Sequence, residues 1–147
     1  MIFEGDFARF FELAGLLYMK SKRALSRSLE KHGITWDQFG TLAAIGRESG
    51  MSQRRLAAIL ETDTTTAMVI CDSLEKRSLI ERSRDRSDRR VNRLILTDAG
   101  SRTLSAAMKT AGKMYEQFKT LLSDDELAAA LPVLQKAAMK AKEISQR

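Results

Sequence analysis

The chain holds one cysteine (Cys71), one histidine (His32) and one proline (Pro132) in 147 residues. A lone cysteine excludes an intrachain disulfide and any thiolate zinc site, which needs two or more Cys ligands. A lone histidine leaves little room for histidine chemistry. One proline and 8 scattered glycines form no flexible linker or low-complexity stretch, and no repeat of fixed period is present. No apolar run reaches the roughly 18 residues of a membrane span. Glu4 and Asp6 precede the N-terminal apolar stretch and Glu12 interrupts it, which is unlike the basic start and clean apolar core of a secretory signal. We therefore expect a cytoplasmic chain with no membrane partner. Enzyme readings lack parts: there is no Gly-rich phosphate loop, no nucleophile with a base at useful spacing and no metal cluster. No catalytic residue, metal or cofactor is expected.

What is present is a globular balance of 44% hydrophobic and 30% charged residues, of a length that suits one domain. Phe7, Phe10, Phe11, Ala14, Leu17, Tyr18, Leu25 and Leu29 follow helical spacing and predict a first helix from about Asp6 to His32, stopped by Gly33. Thr35 and Gln38 form a capping box for a second helix with Phe39, Leu42, Ala43 and Gly46 inside. Ser52 opens a short third helix with Leu56, Ile59 and Leu60 inside. A fourth follows Asp63 to about Arg77, with Ala67, Ile70, Cys71 and Leu74 facing inward. Leu79–Arg82 and Asn92–Leu96 read as two antiparallel strands around a loop at Arg84–Arg90. Thr97 caps a fifth helix to about Leu122. Ser123 and Glu126 box a sixth, which Pro132 should kink.

The expected fold is mainly α. Residues 34–97 carry the parts list of a winged helix-turn-helix lobe within a single domain. Residues 6–32 and 98–145 add helices whose apolar stripes the small lobe cannot cover. A second copy of the chain covers them most simply.

Charge is concentrated in one place. Residues 76–93 hold eight basic residues against three acidic ones, a net +5 beside +6 for the whole chain. The excess is almost all Arg, whose planar fork suits phosphate and narrow grooves. It falls on the hairpin directly after a helix whose outer face shows Thr64, Thr65, Thr66, Met68, Val69, Asp72 and Ser73. Threonine hydroxyls can bond phosphates or base edges, and their methyls can pack on thymine methyls. Helix followed by basic hairpin is the pattern of a double-stranded DNA binder.

Five segments in register carry a resemblance: Ile34–Phe39, Ser52–Ala57, Leu74–Ile80, Asp88-Arg89-Arg90 and Leu96–Gly100. Together they resemble the MarR-type regulators over nearly the whole chain. That resemblance implies a homodimeric, DNA-binding transcriptional regulator, usually a repressor. Its recognition helices would enter two major grooves of a pseudo-palindrome, and its wing arginines the flanking minor grooves. It implies release by a small aromatic or phenolic molecule in many members. On this sequence it makes Arg90 the wing arginine and Asp88 its orienting acid, and puts Thr64 to Thr66 at the start of the recognition helix. The DNA-binding set expected is Thr64, Thr65, Thr66, Met68, Val69, Ser73, Arg84, Arg86, Asp88, Arg89 and Arg90. Two departures stand out. Ser78 replaces the glycine that usually follows the recognition helix, and Ser73 stands where the family often has arginine.

For an effector, Tyr18, Trp36 and Phe39 could line a cavity where the first two helices meet, or simply pack in the core. Cys71 faces inward and is expected to be an inert small hydrophobe rather than a redox sensor. His32 sits near a helix end, where it can favour the negative pole. The competing reading is a dimeric helical scaffold that binds an acidic protein through the same basic hairpin.

Overall fold

The computed structural model describes residues 5–84 and 92–145. Helix α1 (Asp6–Leu29) passes into a 3-10 turn (Glu30–His32), then α2 (Trp36–Arg47), strand β1 (Met51–Ser52), α3 (Gln53–Ile59) and α4 (Thr64–Lys76). Strands β2 (Ile80–Arg84) and β3 (Asn92–Leu96) and helices α5 (Asp98–Lys119) and α6 (Asp124–Ser145) complete it. The sheet is antiparallel with order β1-β3-β2; Ile80 pairs with Leu96 and Arg84 with Asn92. The fold is mainly α with a winged helix-turn-helix at residues 36–96. No described helix is long and apolar enough to cross a membrane.

Local signals set most boundaries. Gly33 adopts φ 68° and stops the first helical run, although the last three residues tighten into the 3-10 turn with a Gly33 N–H to Glu30 carbonyl bond of 2.8 Å. The Thr35–Gln38 box forms in both directions, and so does the Ser123–Glu126 box. The Ser52 hydroxyl accepts from the Arg55 N–H, and the Thr97 hydroxyl from the Gly100 N–H. Helix α5 ends at Lys119, three residues short of the expected Leu122. Helix α6 is continuous through Pro132.

The chain forms two compact units, one ending at Ala111 and one beginning at Gly112. The first holds a core of Leu25, Leu29, Leu42, Ile45, Leu56, Leu74, Ile80 and Leu94, all fully or almost fully buried. Several inward assignments need correction. In α2 the buried residues are Thr41, Leu42, Ala44 and Ile45, while Phe39 and Ala43 are only half-buried. That helix packs against α1, α3, α4 and β3, so its covered arc is wider than one stripe. Ile59 is exposed at the end of α3. On α1 only Leu25 and Leu29 are buried, and Phe7, Phe11, Leu17 and Tyr18 are exposed. The two-residue β1 was not anticipated; its Ser52 is also the cap of α3, and two residues carry no alternation to read.

Candidate nucleic-acid interface

Helix α4 is fixed at both ends by short-range geometry. At its start the Asp63 carboxylate accepts from the Thr66 N–H (2.8 Å) and the Thr66 hydroxyl (2.7 Å). These bonds, that from the Thr66 hydroxyl foremost, hold the Asp63 carboxyl below its ordinary pKa. Ahead of it, the turn from α3 closes with Thr62 N–H to Ala57 carbonyl (3.0 Å) and Glu61 N–H to Ala58 carbonyl (3.4 Å), with Glu61 at φ 51°. The end of α4 repeats this Schellman pattern: Leu79 N–H to Leu74 carbonyl (3.0 Å) and Ser78 N–H to Glu75 carbonyl (2.8 Å), with Ser78 at φ 54°. The left-handed conformation is thus kept without glycine, at a cost of about 1 kcal/mol.

The base of the hairpin locks onto that same turn. The Thr97 hydroxyl donates to the Ser78 carbonyl (2.6 Å), and the Thr97 N–H to the Leu79 carbonyl (3.2 Å). Gly100 comes so close to Leu79 that a Cβ there would overlap the Leu79 carbonyl oxygen. The Leu96–Gly100 motif is therefore a clamp on the C-terminal end of α4.

Between these ends, Ala67, Cys71 and Leu74 are fully buried and hold the helix to the core. Thr64, Thr65, Thr66, Met68 and Val69 form the exposed face. Ser73 is half-buried and accepts a hydrogen bond from Gln38 Nε2 (2.9 Å). Asp72 lies on the same side but is engaged by Arg82 of β2. The Arg82 guanidinium reaches Asp72 Oδ1 (2.5 Å) and Glu75 Oε2, and its side chain is 18% exposed. Burial disfavours the charge, but the two carboxylates outweigh it and raise the guanidinium pKa above its ordinary value. Arg77 donates to Gln38 Oε1 (3.3 Å) and Arg93 to the Gly50 carbonyl (2.9 Å). Three of the eight basic residues in 76–93 thus have internal roles that charge counting could not show. The adjacent acids at Asp72 and Glu75, one helical step apart, were the available signal for Arg82. The Arg84 side chain and Arg86, Asp88, Arg89 and Arg90 lie outside the described residues.

A family model described as MarR family matches residues 32–91. The HTH-type transcriptional repressor MdtR of Bacillus subtilis is 26% identical over 125 residues, 85% of this chain and 81% of that protein. The HTH-type transcriptional regulator BilQ of Clostridium symbiosum is 31% identical over 108 residues, 74% of this chain and 75% of that protein. The chain belongs to the MarR family. A solved structure of the transcriptional repressor CouR bound to a 23-mer DNA duplex superposes with a TM-score of 0.82 at 26% identity, covering 94% of this chain and 99% of that one. The MarR-family chain is a DNA-binding transcriptional regulator, and regulators of this family are not enzymes.

The aromatic residues expected to line an effector cavity differ in exposure. Tyr18 is 58% exposed, and Trp36 and Phe39 are half-buried. Lys22 Nζ lies 5.9 Å from the Tyr18 ring and 6.0 Å from that of Trp36, so a lysine already sits over both. Trp36 lines a cleft of about 280 Å³ together with Asp37, Leu60, Glu61, Thr66 and Ile70. That cleft lies between α2 and the α3–α4 turn rather than between α1 and α2, and neither Tyr18 nor Phe39 borders it. His32 Nε2 lies 2.8 Å from Thr110 Oγ1, tying the 3-10 turn to α5. Cys71 is buried, and burial pushes its thiol up to about 11, which keeps it protonated and unreactive.

Proposed function

We propose that this regulator is a homodimeric repressor of a pseudo-palindromic operator. In this reading each α4 enters a major groove, and the loop 84–90 follows the phosphates into the flanking minor groove. The observation that carries it is the exposed Thr64–Val69 face of α4, held rigid at both ends and followed at once by the Arg-rich hairpin. Thr64, Thr65, Thr66, Met68 and Val69 are the base-facing set, and Ser73 is a helix neighbour held by Gln38. Arg84, Arg86, Arg89 and Arg90 are the phosphate and groove contacts, with Asp88 orienting Arg90. Repression is supported by the relatives MdtR and CouR, which are both repressors by name.

The dimer is supported by the apolar stripes of α1 and α6, which are exposed in the single chain and are assigned to a helical dimerisation region. CouR of Rhodococcus jostii RHA1 has been solved with p-coumaroyl-CoA, and Tyr18, Trp36 and Phe39 are the residues we assign to such a ligand here.

Selection of duplexes from a random library at moderate salt tests the reading, with Arg90→Ala as control. The expected product is an inverted repeat with half-sites about 34 Å apart, one turn of DNA. The salt slope of log K should be about −5 to −9 for roughly 6–10 neutralised phosphates. Arg90→Ala should weaken all sequences alike. Binding without a consensus, lost as salt rises, would leave only phosphate contacts and favour the acidic-protein partner.

A further inference from the structure

The exposed face of α4 says what kind of half-site it can read. Between Thr64 and Ser73 there is no Lys, Arg, Asn or Gln. Two-point reading of guanine needs Arg or Lys, and of adenine Asn or Gln. This stretch of helix can do neither. An acid could accept from cytosine N4, but Asp72 is held by Arg82. The Ser73 hydroxyl is engaged by Gln38, and the Thr66 hydroxyl donates to Asp63. What remains is the Thr64 and Thr65 side chains with Met68 and Val69, which are 44% and 61% exposed. Met68 and Val69 offer only apolar surface. In the major groove the one apolar group on a base edge is the C5-methyl of thymine.

We infer that α4 reads its half-site through thymine 5-methyl groups, with Val69 and Met68 as the specificity-determining residues. The inference rests on α4 entering the major groove. It makes the preferred ligand a duplex whose half-site presents T at fixed positions. A T·A pair there is distinguished from A·T because the methyl lies on one strand only.

The test uses the duplex recovered by selection, with each dT of a half-site replaced singly by dU. That change deletes the methyl and keeps the pairing edge. At the contacted positions affinity should fall about fourfold, equivalent to the ~0.8 kcal/mol of one buried methyl-sized group. The same change in both half-sites should cost about 16-fold, since two equal and distant losses multiply. In Val69→Ala or Met68→Ala the dU penalty at the matching position should vanish, with the salt slope unchanged. Both side chains are exposed, so both variants fold. Unchanged binding to every dU duplex overturns the inference. So does a dU penalty that survives in both variants, because the methyl would then act through another contact or through DNA shape. Failure to bind any duplex sinks the operator reading instead, so the two failures are distinct.

Discussion

Helices α4 and α6 have similar apolar content and opposite fates. In α4, Ala67, Cys71 and Leu74 are fully buried, and both ends are tied by a cap and a Schellman turn. In α6 no described residue is buried. Leu127, Leu131 and Leu134, spaced as one stripe, are 43–49% exposed. Helix α6 nevertheless starts with a complete capping box. Local signals therefore suffice to start a helix, while burial of its stripe depends on what packs against it. Helix α4 is tied down within one chain, whereas the apolar stripe of α6 is left exposed in it.

The sharpest way to break the tied-down helix is Gly100→Ala. Its methyl would overlap the Leu79 carbonyl, so the clamp or the end of α4 must move. We expect a loss of about 3 kcal/mol in denaturant unfolding, the upper range for overpacking with backbone displacement. A loss under about 0.5 kcal/mol, the level of an ordinary surface change, would mean that the Thr97–Gly100 segment does not hold α4. The exposed stripe of α6 should respond differently. Leu127→Glu with Leu131→Glu should leave the core of the first unit folded, shift sedimentation from dimer to monomer, and lower operator affinity about 100-fold by removing the linked second half-site. A dimer that survives both substitutions would move the interface off α6.

How far the sequence reaches follows the same division. Caps at Thr35, Ser52, Thr97 and Ser123 and the stop at Gly33 were legible because each is a contact within a few residues. The inward face of α4 was legible at Ala67, Cys71 and Leu74, because a single stripe is covered from one side, whereas Ile70 of the same stripe is only half-buried and borders the cleft at Trp36. The inner face of α2 was misplaced towards Phe39 and Ala43, because four neighbours cover it and no single period describes that. The Arg82 bridge was hidden for another reason. A charge count treats each arginine as free, and only the pairing of β2 beside α4 brings Arg82 to Asp72 and Glu75. What surrounds Tyr18, Trp36 and Phe39 was not legible, because an exposed Tyr18 and a Trp36 that borders a cleft at the α3–α4 turn follow from how helices pack rather than from spacing along one of them.

Two substitutions sharpen the account of α4 at lower cost. Arg82→Met keeps length and removes charge, leaving Asp72 and Glu75 facing each other without a cation. Removing one partner of a well-buried pair costs about 3–5 kcal/mol; these carboxylates are partly exposed, so about 1–2 kcal/mol is expected. Because Arg82 ties the hairpin to α4, discrimination between the operator and random DNA should fall while the salt slope stays constant. A slope reduced by about one would instead make Arg82 a phosphate contact. Ser78→Gly should act in the opposite direction. It relieves the left-handed serine, and unfolding should become harder by up to about 1 kcal/mol, less the added freedom of glycine in the unfolded chain. A destabilised Ser78→Gly would show that the serine side chain contributes more than its backbone costs.

The smallest effect is at the other end of α4 and depends on pH. The Asp63 carboxyl is held below its ordinary value of 3.8 by the hydrogen bonds it accepts, first from the Thr66 hydroxyl and then from the Thr66 N–H. A carboxyl lowered in the folded state binds its proton less readily there than in the unfolded chain. Its contribution is therefore complete above 3.8 and disappears as pH falls through the lower folded value. Acid should loosen the first turn of α4 before the buried Ala67–Leu74 anchor responds. The Thr66 amide resonance, followed from about pH 6 to about pH 2, should titrate with a midpoint below the ordinary Asp value of about 3.9, and that transition should vanish in Asp63→Asn. A midpoint at or above the ordinary value would mean the cap does not hold in solution. The Thr64–Val69 face would then lack the fixed start on which the proposed reading of DNA depends.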